Sequence, residues 1–599
     1  MSDYIGYSNL PTLDQILSTN KQVYTINQAA DNLTRTGQHW GATLGQPATV
    51  SYSFLSQDNH AWTDNTFAAF TADQIHASEM ALQAWSDVAN IHFNRIGTGY
   101  SGAAAYSAQG QLKLSGFTYS TTGASGMSQF PGSGSVSTQV WVGANGQSPL
   151  AQSYQWIPDG NNMASGYANL LHEIGHAIGL SHPTDYATST PNYDADASYY
   201  QDSKLFSIMS YFDGRIGVLQ PFQAPMTPGI DDIAAAQKLY GANMTTRTGD
   251  TVYGFNSNAD ASYFRIADVN NHVRFTVWDA AGNDTFDFSG FDYNHVIDLR
   301  EGHLSSVSNQ PPQFSLEAFN VGVAYGAVIE NAIGGSAGEM IYGNDANNHV
   351  QGNGGADMVY GGAGSDTLEG GDDNDHIWGN GLSTAGATDG GDSILGGAGN
   401  DYINGNAGSD TISGGDGNDR ILGGQDNDLI NGDAGQDQIN GNLGNDTIHG
   451  GDGNDTLQGG QGDDQIYGDA GNDLIMGNKG IDVMTGGAGA DVFKFAYDDS
   501  NIDFTHGAID KITDFSSEDR ITFDFGSPTT ILHGSAGDIT AAGTAARAAL
   551  VATGDTHAVD AFQIGNDTYL FFNGRSDGHI EGVELVGVNA NTIDHSDFI

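Results

Sequence analysis

From residue 396 to residue 494 the chain repeats a nine-residue unit eleven times without a gap, and no other feature limits its possible folds so tightly. Gly396-Gly-Ala-Gly-Asn-Asp-Tyr-Ile-Asn404, Gly414-Gly-Asp-Gly-Asn-Asp-Arg-Ile-Leu422 and Gly450-Gly-Asp-Gly-Asn-Asp-Thr-Leu-Gln458 are three of the units. The sixth position is aspartate in all eleven, and the eighth is isoleucine in eight, with Leu457, Met484 and Phe493 in the others. A glycine-rich linker has no reason to hold such a phase. The phase therefore predicts stacked coils, each giving a short strand whose eighth residue points into a narrow core.

The pattern is that of the calcium-binding parallel β-roll, in which adjacent coils offer carbonyl and carboxylate oxygens suited to a hard cation. Upstream, residues 343–378 give four more units, with Asp357, Asp366 and Asp375 at the sixth position and Asn348 in the remaining one. Residues 334–342 form a poorer unit carrying Glu339. Residues 379–395 are one short of two units and predict a looped coil that preserves the alternation of two sheets. Candidate calcium ligands are Asp357, Asp366, Asp375, Asp401, Asp410, Asp419, Asp428, Asp437, Asp446, Asp455, Asp464, Asp473, Asp482 and Asp491. Residues 334–494 hold 27 acids against 3 bases, a net charge of -24 that opposes compaction without cations.

A second stretch carries chemistry. Leu171-His-Glu-Ile-Gly-His-Ala-Ile-Gly-Leu-Ser-His-Pro183 has the form H-E-x-x-H-x-x-G-x-x-H. On a helix from about 168 to 178, His172 and His176 stand one turn apart and face a common point. Gly179 can take the left-handed conformation that ends the helix, and the reversed chain can return His182 as a third imidazole. Three neutral nitrogens with an open fourth position make a catalytic zinc site. Glu173 is placed to take a proton from water there.

Together with Phe206-Ser-Ile-Met-Ser-Tyr211, this motif resembles the metzincin metalloproteases, and within them the serralysin family. The resemblance implies that Met209 floors the metal site and that Tyr211 is a displaceable fifth zinc ligand whose hydroxyl acts in catalysis. It places an edge strand for extended peptides at Gly126, Met127, Ser128 and Gln129, before the strand at 138–142. It also implies a calcium loop pair in which Asp279 and Asp284 give side-chain oxygens and Gly249 and Thr251 contribute further ones. Because backbone pairing reads no side chain, broad specificity follows.

The expected architecture is an α+β metzincin-like catalytic domain followed by an all-β parallel β-roll (RTX) domain with a β-rich C-terminal cap. Residues 1–30 form an N-terminal segment with a short or absent propeptide, and 31–245 form the catalytic domain. Residues 246–333 form the junction and start of the roll domain, 334–494 the repeats, and 495–599 the cap with an export signal. Ala48 to Phe54 alternates as a strand, Thr71 is the expected cap of a helix reaching about residue 89, and Ile230 to Tyr240 is a closing helix. With no cysteine, disulfides, thiolate sites and a cysteine switch are all excluded.

The formal charge of -54 argues against nucleic acid or an anionic membrane as partner. No stretch has the length of a membrane span, and residues 1–19 lack a conventional secretory signal. Asp594-His-Ser-Asp-Phe-Ile599 resembles the uncleaved export signal of serralysins, which implies secretion through a type I apparatus. Two functions fit: a monomeric secreted zinc endopeptidase acting on proteins and peptides, or a calcium-dependent surface or adhesion protein with an inactive protease-like domain.

Overall fold

The computed structural model describes residues 21–57, 66–118, 126–131, 138–143, 165–186, 193–199, 201–212, 225–269, 273–307, 320–381, 389–496, 509–573 and 580–599. Residues 1–20 of the expected N-terminal segment lie outside them. The chain divides into two compact units, 1–333 and 334–599.

In the first unit, α1 (Ile26–Leu33) opens on a capping box in which the Thr25 side chain accepts from Gln28 N–H and Gln28 reaches back to the Thr25 N–H. The strands β1 (Ala48–Phe54), β2 (Thr66–Ala68), β3 (Ile91–Arg95), β4 (Leu112–Thr118), β5 (Gly126–Ser128) and β6 (Thr138–Gly143) form one sheet. Its order is β3-β1-β4-β6-β5, parallel except for β5 along one margin and β2, which pairs antiparallel with β4. Helix α2 (Ala72–Val88) starts at Thr71 with a second capping box and buries Ile75, Leu82 and Trp85. Helix α3 (Ser165–Ile178) carries the histidine motif, and Trp85 Nε1 donates to Leu171 O at 3.1 Å to tie α2 to it. Helix α4 (Ile230–Tyr240) spans the expected residues, and Tyr240 OH donates to Ile178 O at the end of α3.

In the second unit, strands eighteen residues apart pair in parallel, as Ile412 with Ile430 on one sheet and Ile421 with Ile439 on the other. All the eighth-position side chains are buried, Ile412, Ile421 and Phe493 completely. Around 379–395 the alternation survives as expected: Leu368 pairs with Ile394 and Ile377 with Ile403. The stretches after Lys494 differ from expectation. Asp510–Ile512 pairs with 483–484, and Arg520–Phe523 with Val492–Phe495, so both extend the roll before the cap begins.

The cap itself is Thr530–Ser535, Ala558–Ile564, Asp567–Asn573 and Ile580–Leu585, with the last strand laid parallel on Asp510–Ile512. It also contains α5 (Ile539–Thr553), an alanine-rich helix whose Ala542, Ala546 and Leu550 pack on Phe562 and Phe571. No described helix is long and apolar enough to cross a membrane.

Candidate metal centre and active site

Helix α3 ends at Ile178 because Gly179 adopts φ +116°, and a Cβ there would overlap the Gln38 carbonyl oxygen. The reversed chain is then clamped from α1. Ser181 N–H donates to Leu33 O at 2.7 Å, Asn32 Nδ2 to Pro183 O at 2.6 Å, and Arg35 to the His182 carbonyl at 2.5 Å. The result brings His172, His176 and His182 together.

The tautomers follow from the backbone. His172 Nδ1 lies 2.8 Å from Ile208 O and His176 Nδ1 2.7 Å from Leu180 O; a carbonyl can only accept, so both Nδ1 atoms carry the proton. Each Nε2 then presents a lone pair, yet His182 Nε2 lies 3.2 Å from His172 Nε2 and 3.0 Å from His176 Nε2. Lone pairs converging this closely fit a shared cation, and tetrahedral zinc with bonds of ~2.0–2.1 Å spaces its nitrogens by about this much. Burial pushes His176 down to about 4 and His182 to about 3, and lowers His172 well below the usual range, so all three are neutral, as ligands must be.

Glu173 is buried, with Oε2 lacking a hydrogen-bond partner among the described residues, and desolvation raises its carboxyl to about 8. A cation between the imidazoles would favour the ionised form. Gly126, on the antiparallel margin strand β5, sits so close that a Cβ would overlap Glu173 Oε1. The four expected cleft residues thus divide: Gly126 faces the carboxylate, while Met127 and Ser128 continue β5 along β6 and Gln129 N–H donates to Gln139 O. Phe130 lies edge-on to His176 at 5.6 Å.

Met209 is fully buried beneath α3, where Gly175 makes room: a Cβ there would stand 2.6 Å from its sulfur. Tyr211 is half-exposed, its ring 4.5 Å from that of His182 and 5.8 Å from that of His172.

Several supporting residues escaped the sequence reading. Asp232 is fully buried at the start of α4, where it accepts from Ile208 N–H at 2.6 Å, Ser207 OH at 2.6 Å and Gly229 N–H at 2.8 Å. It thereby fixes the carbonyl that orients His172. In sequence it looks like an ordinary acid in a first helical turn. Gly175 carried a faint signal, since a mid-helix glycine costs ~1 kcal/mol and calls for a packing reason.

The loop pair at 246–284 also assembles. Thr251 N–H donates to Asp284 Oδ1 at 2.8 Å, Thr251 OH to Gly249 O at 2.9 Å, and Tyr253 OH to Asp279 Oδ2 at 2.6 Å. Asp284 Oδ2 is buried without a partner among the described residues, and burial raises both carboxyls. Glu330, absent from the sequence reading, accepts from Asp284 N–H at 2.7 Å.

In the roll, each sixth-position N–H donates to Oδ1 of the aspartate two units on, as Asp401 to Asp419 at 2.8 Å. Among the described residues, the expected aspartates from Asp357 to Asp491 other than Asp482 leave Oδ2 buried and unpartnered. A first-position glycine faces each such oxygen: a Cβ on Gly396 would stand 2.5 Å from Asp401 Oδ2. Desolvation raises these carboxyls, Asp410 to about 8 and Asp428 to about 7. Where the aspartate is replaced, an oxygen is occupied: Asn348 Oδ1 accepts from Asn344 N–H and Glu339 Oε2 from Gly335 N–H. Three further aspartates join the ladder. Asp392 lies between Asp366 and Asp410 with an unpartnered Oδ2, and Asp510 and Asp519 accept from Asp482 and Asp491. Each is followed two residues later by isoleucine, the Asp-x-Ile signature of the units.

Residues 46–204 match the family described as Matrixin, and residues 242–529 match Peptidase M10 serralysin C terminal. Serralysin C of Dickeya chrysanthemi is 39% identical over 328 residues, 54% of this chain and 64% of that protein. Metalloprotease AprA of Pseudomonas entomophila is 38% identical over 340 residues, 54% of this chain and 65% of that protein. Serralysin B of Dickeya chrysanthemi is 38% identical over 358 residues, 56% of this chain and 69% of that protein. The chain thus spans about two thirds of the length of these relatives. The two consecutive domain matches and the extent of that identity mean that this chain belongs to the serralysin family.

Proposed function

We propose that the chain is a secreted, monomeric zinc-dependent endopeptidase of broad specificity whose C-terminal unit folds on calcium. The observation that carries the reading is the convergence of three neutral imidazole Nε2 atoms beside the buried Glu173 carboxyl, whose Oε2 has no partner among the described residues. Zinc held by His172, His176 and His182 would supply a Lewis acid and lower the pKa of a bound water.

The remaining steps belong to the chain. Glu173 takes a proton from the attacking water and returns it to the departing amine. Tyr211, standing over the imidazoles, donates its hydroxyl to the oxyanion of the tetrahedral intermediate. Strand β5 pairs with β6 on one side and, among the described residues, with no strand on the other, so it can take a substrate backbone in strand addition. Gly126 lets that strand lie directly against the Glu173 carboxylate, which a side chain there would displace.

For calcium, the roll aspartates with orphaned Oδ2 atoms and the pair Asp279 and Asp284 supply hard oxygens. Extracellular calcium modules bind with dissociation constants of about 10⁻⁴–10⁻³ M. At lower free calcium the repeats, at net -24, stay expanded and threadable through a type I exporter.

The test is zinc content together with casein hydrolysis in millimolar calcium. We expect one zinc per chain, with activity lost on its removal and restored on its return. Full hydrolysis by zinc-free chain, or none by zinc-loaded chain, would overturn the reading.

A further inference from the structure

The loop that carries His182 and the loop that carries Tyr211 meet at one buried carboxylate. Asp202 is fully buried, and its Oδ2 accepts from Thr184 OH at 2.6 Å, while Oδ1 accepts from Ser210 OH at 2.8 Å and from Tyr186 OH at 2.9 Å. Thr184 and Tyr186 follow His182 in the chain, and Ser210 precedes Tyr211. One carboxylate therefore fixes the spacing of the two loops.

Tyr186 carries that spacing to Tyr211. Its single hydroxyl proton goes to Asp202, which leaves the phenol oxygen as acceptor for Tyr211 N–H at 3.2 Å. Its ring stacks on the Tyr211 ring at 4.6 Å with 18° between planes, and meets Phe212 edge-on at 5.2 Å. Tyr211 is thus gripped at both backbone and ring by one neighbour, whose own orientation is set from beneath.

We propose that Tyr186 and Asp202 are positioning residues that hold Tyr211 over the three imidazoles, acting on the reaction only through it. The inference rests on the reading of Tyr211 as a group acting at the metal centre. Tyr186→Phe keeps the ring stack and removes the phenol oxygen's bonds to Asp202 and to Tyr211 N–H, together with its longer contact to Ser210 Oγ at 3.3 Å. Misplacement of a catalytic group by about 1 Å costs up to ~10²-fold in rate, so Tyr186→Phe should lower kcat by ~10- to ~100-fold with KM little changed.

The decisive comparison is a double-mutant cycle in the full-length, zinc- and calcium-loaded protein. If Tyr186 acts through the Tyr211 hydroxyl, Tyr186→Phe loses its effect in a Tyr211→Phe background. A general structural role would lower kcat in both backgrounds alike. A second readout needs no turnover: in copper(II)-substituted protein, a phenolate-to-copper charge-transfer absorption reports Tyr211 at the metal. Tyr211→Phe should abolish that absorption, and Tyr186→Phe should weaken or shift it. Ser210→Ala removes one donor to Asp202 and leaves both rings, so it should give a smaller kcat loss of the same kind and covers the case in which Tyr186→Phe fails to fold. Additive losses, or parent kcat and parent absorption in Tyr186→Phe while Tyr211→Phe is impaired, overturn this inference alone. Parent kcat in Tyr211→Phe overturns the Tyr211 reading and this inference with it.

Discussion

The imidazole centre and the roll each crowd together donors suited to a cation, nitrogens in one and carboxylate oxygens in the other, but they do so by opposite means. At the centre each donor occurs once and is held by segments far apart in sequence: Ile208 orients His172, Asp232 fixes Ile208, and Arg35 grips the His182 carbonyl. In the roll one carboxylate arrangement recurs every nine residues, and each copy is held by the coil next to it. The first design concentrates the consequence of a change and the second spreads it. A single lesion should therefore abolish chemistry at the centre, whereas only removal of the ion should abolish the roll.

Calcium removal gives the largest expected effect. In chelator the second unit should lose its strand signal by circular dichroism and expand, because its buried carboxylates lose their counter-charge. Magnesium should fail to restore it, since it resists dehydration and demands a tighter octahedral shell.

Glu173→Gln comes next, with zinc content unchanged and kcat down ~10²- to ~10⁴-fold in a steady-state peptide assay. Retained turnover in the zinc-loaded variant would remove the contrast between the two regions. Gly179→Ala should follow, destabilising the first unit by roughly 1–3 kcal/mol or more in chemical denaturation, with loss of zinc, because the positive φ is strained and the new Cβ meets backbone.

Asp428→Asn is the smallest and the sharpest. The amide can still accept from Asp410 N–H, so only the charge is removed. In calcium the thermal midpoint should drop slightly, and in chelator whatever strand signal survives at acid pH should persist to a slightly higher pH than in the parent, because one repelling charge is gone. The pH dependence has the same sign. Burial raises Asp428 from its ordinary value to about 7, so between pH ~4 and ~7 the folded ion-free roll binds more protons than the unfolded chain. Strand structure without the ion is therefore favoured at acid pH and lost as pH rises through 7, and circular dichroism in chelator at pH 5 and 8 checks this, with strand signal expected only at the lower pH.

The two regions were also unequally legible in the sequence. The His172, His176 and His182 set is readable because one helical turn and one positive-φ glycine bring it together locally. The aspartate ladder is readable because a period is visible without any tertiary knowledge. Asp392 was hidden by the break at 379–395, although counting back in nines from Gly396 places it at a sixth position. Asp232, Asp202 and Tyr186 act across long sequence separations, and nothing in their immediate neighbours marks them. Asp510 and Asp519 were hidden by intervening residues that lengthen the step from eighteen to twenty-eight.

The central claim is that one metal serves chemistry and another serves the fold. Its most direct test follows casein hydrolysis and far-ultraviolet circular dichroism together in the full-length protein, first with a zinc-selective chelator in excess calcium and then with a calcium-selective chelator in the presence of zinc. The account predicts that the first treatment abolishes hydrolysis and leaves the strand signal intact, while the second collapses the strand signal. An unchanged strand signal after calcium removal, or full hydrolysis after zinc removal, would contradict it.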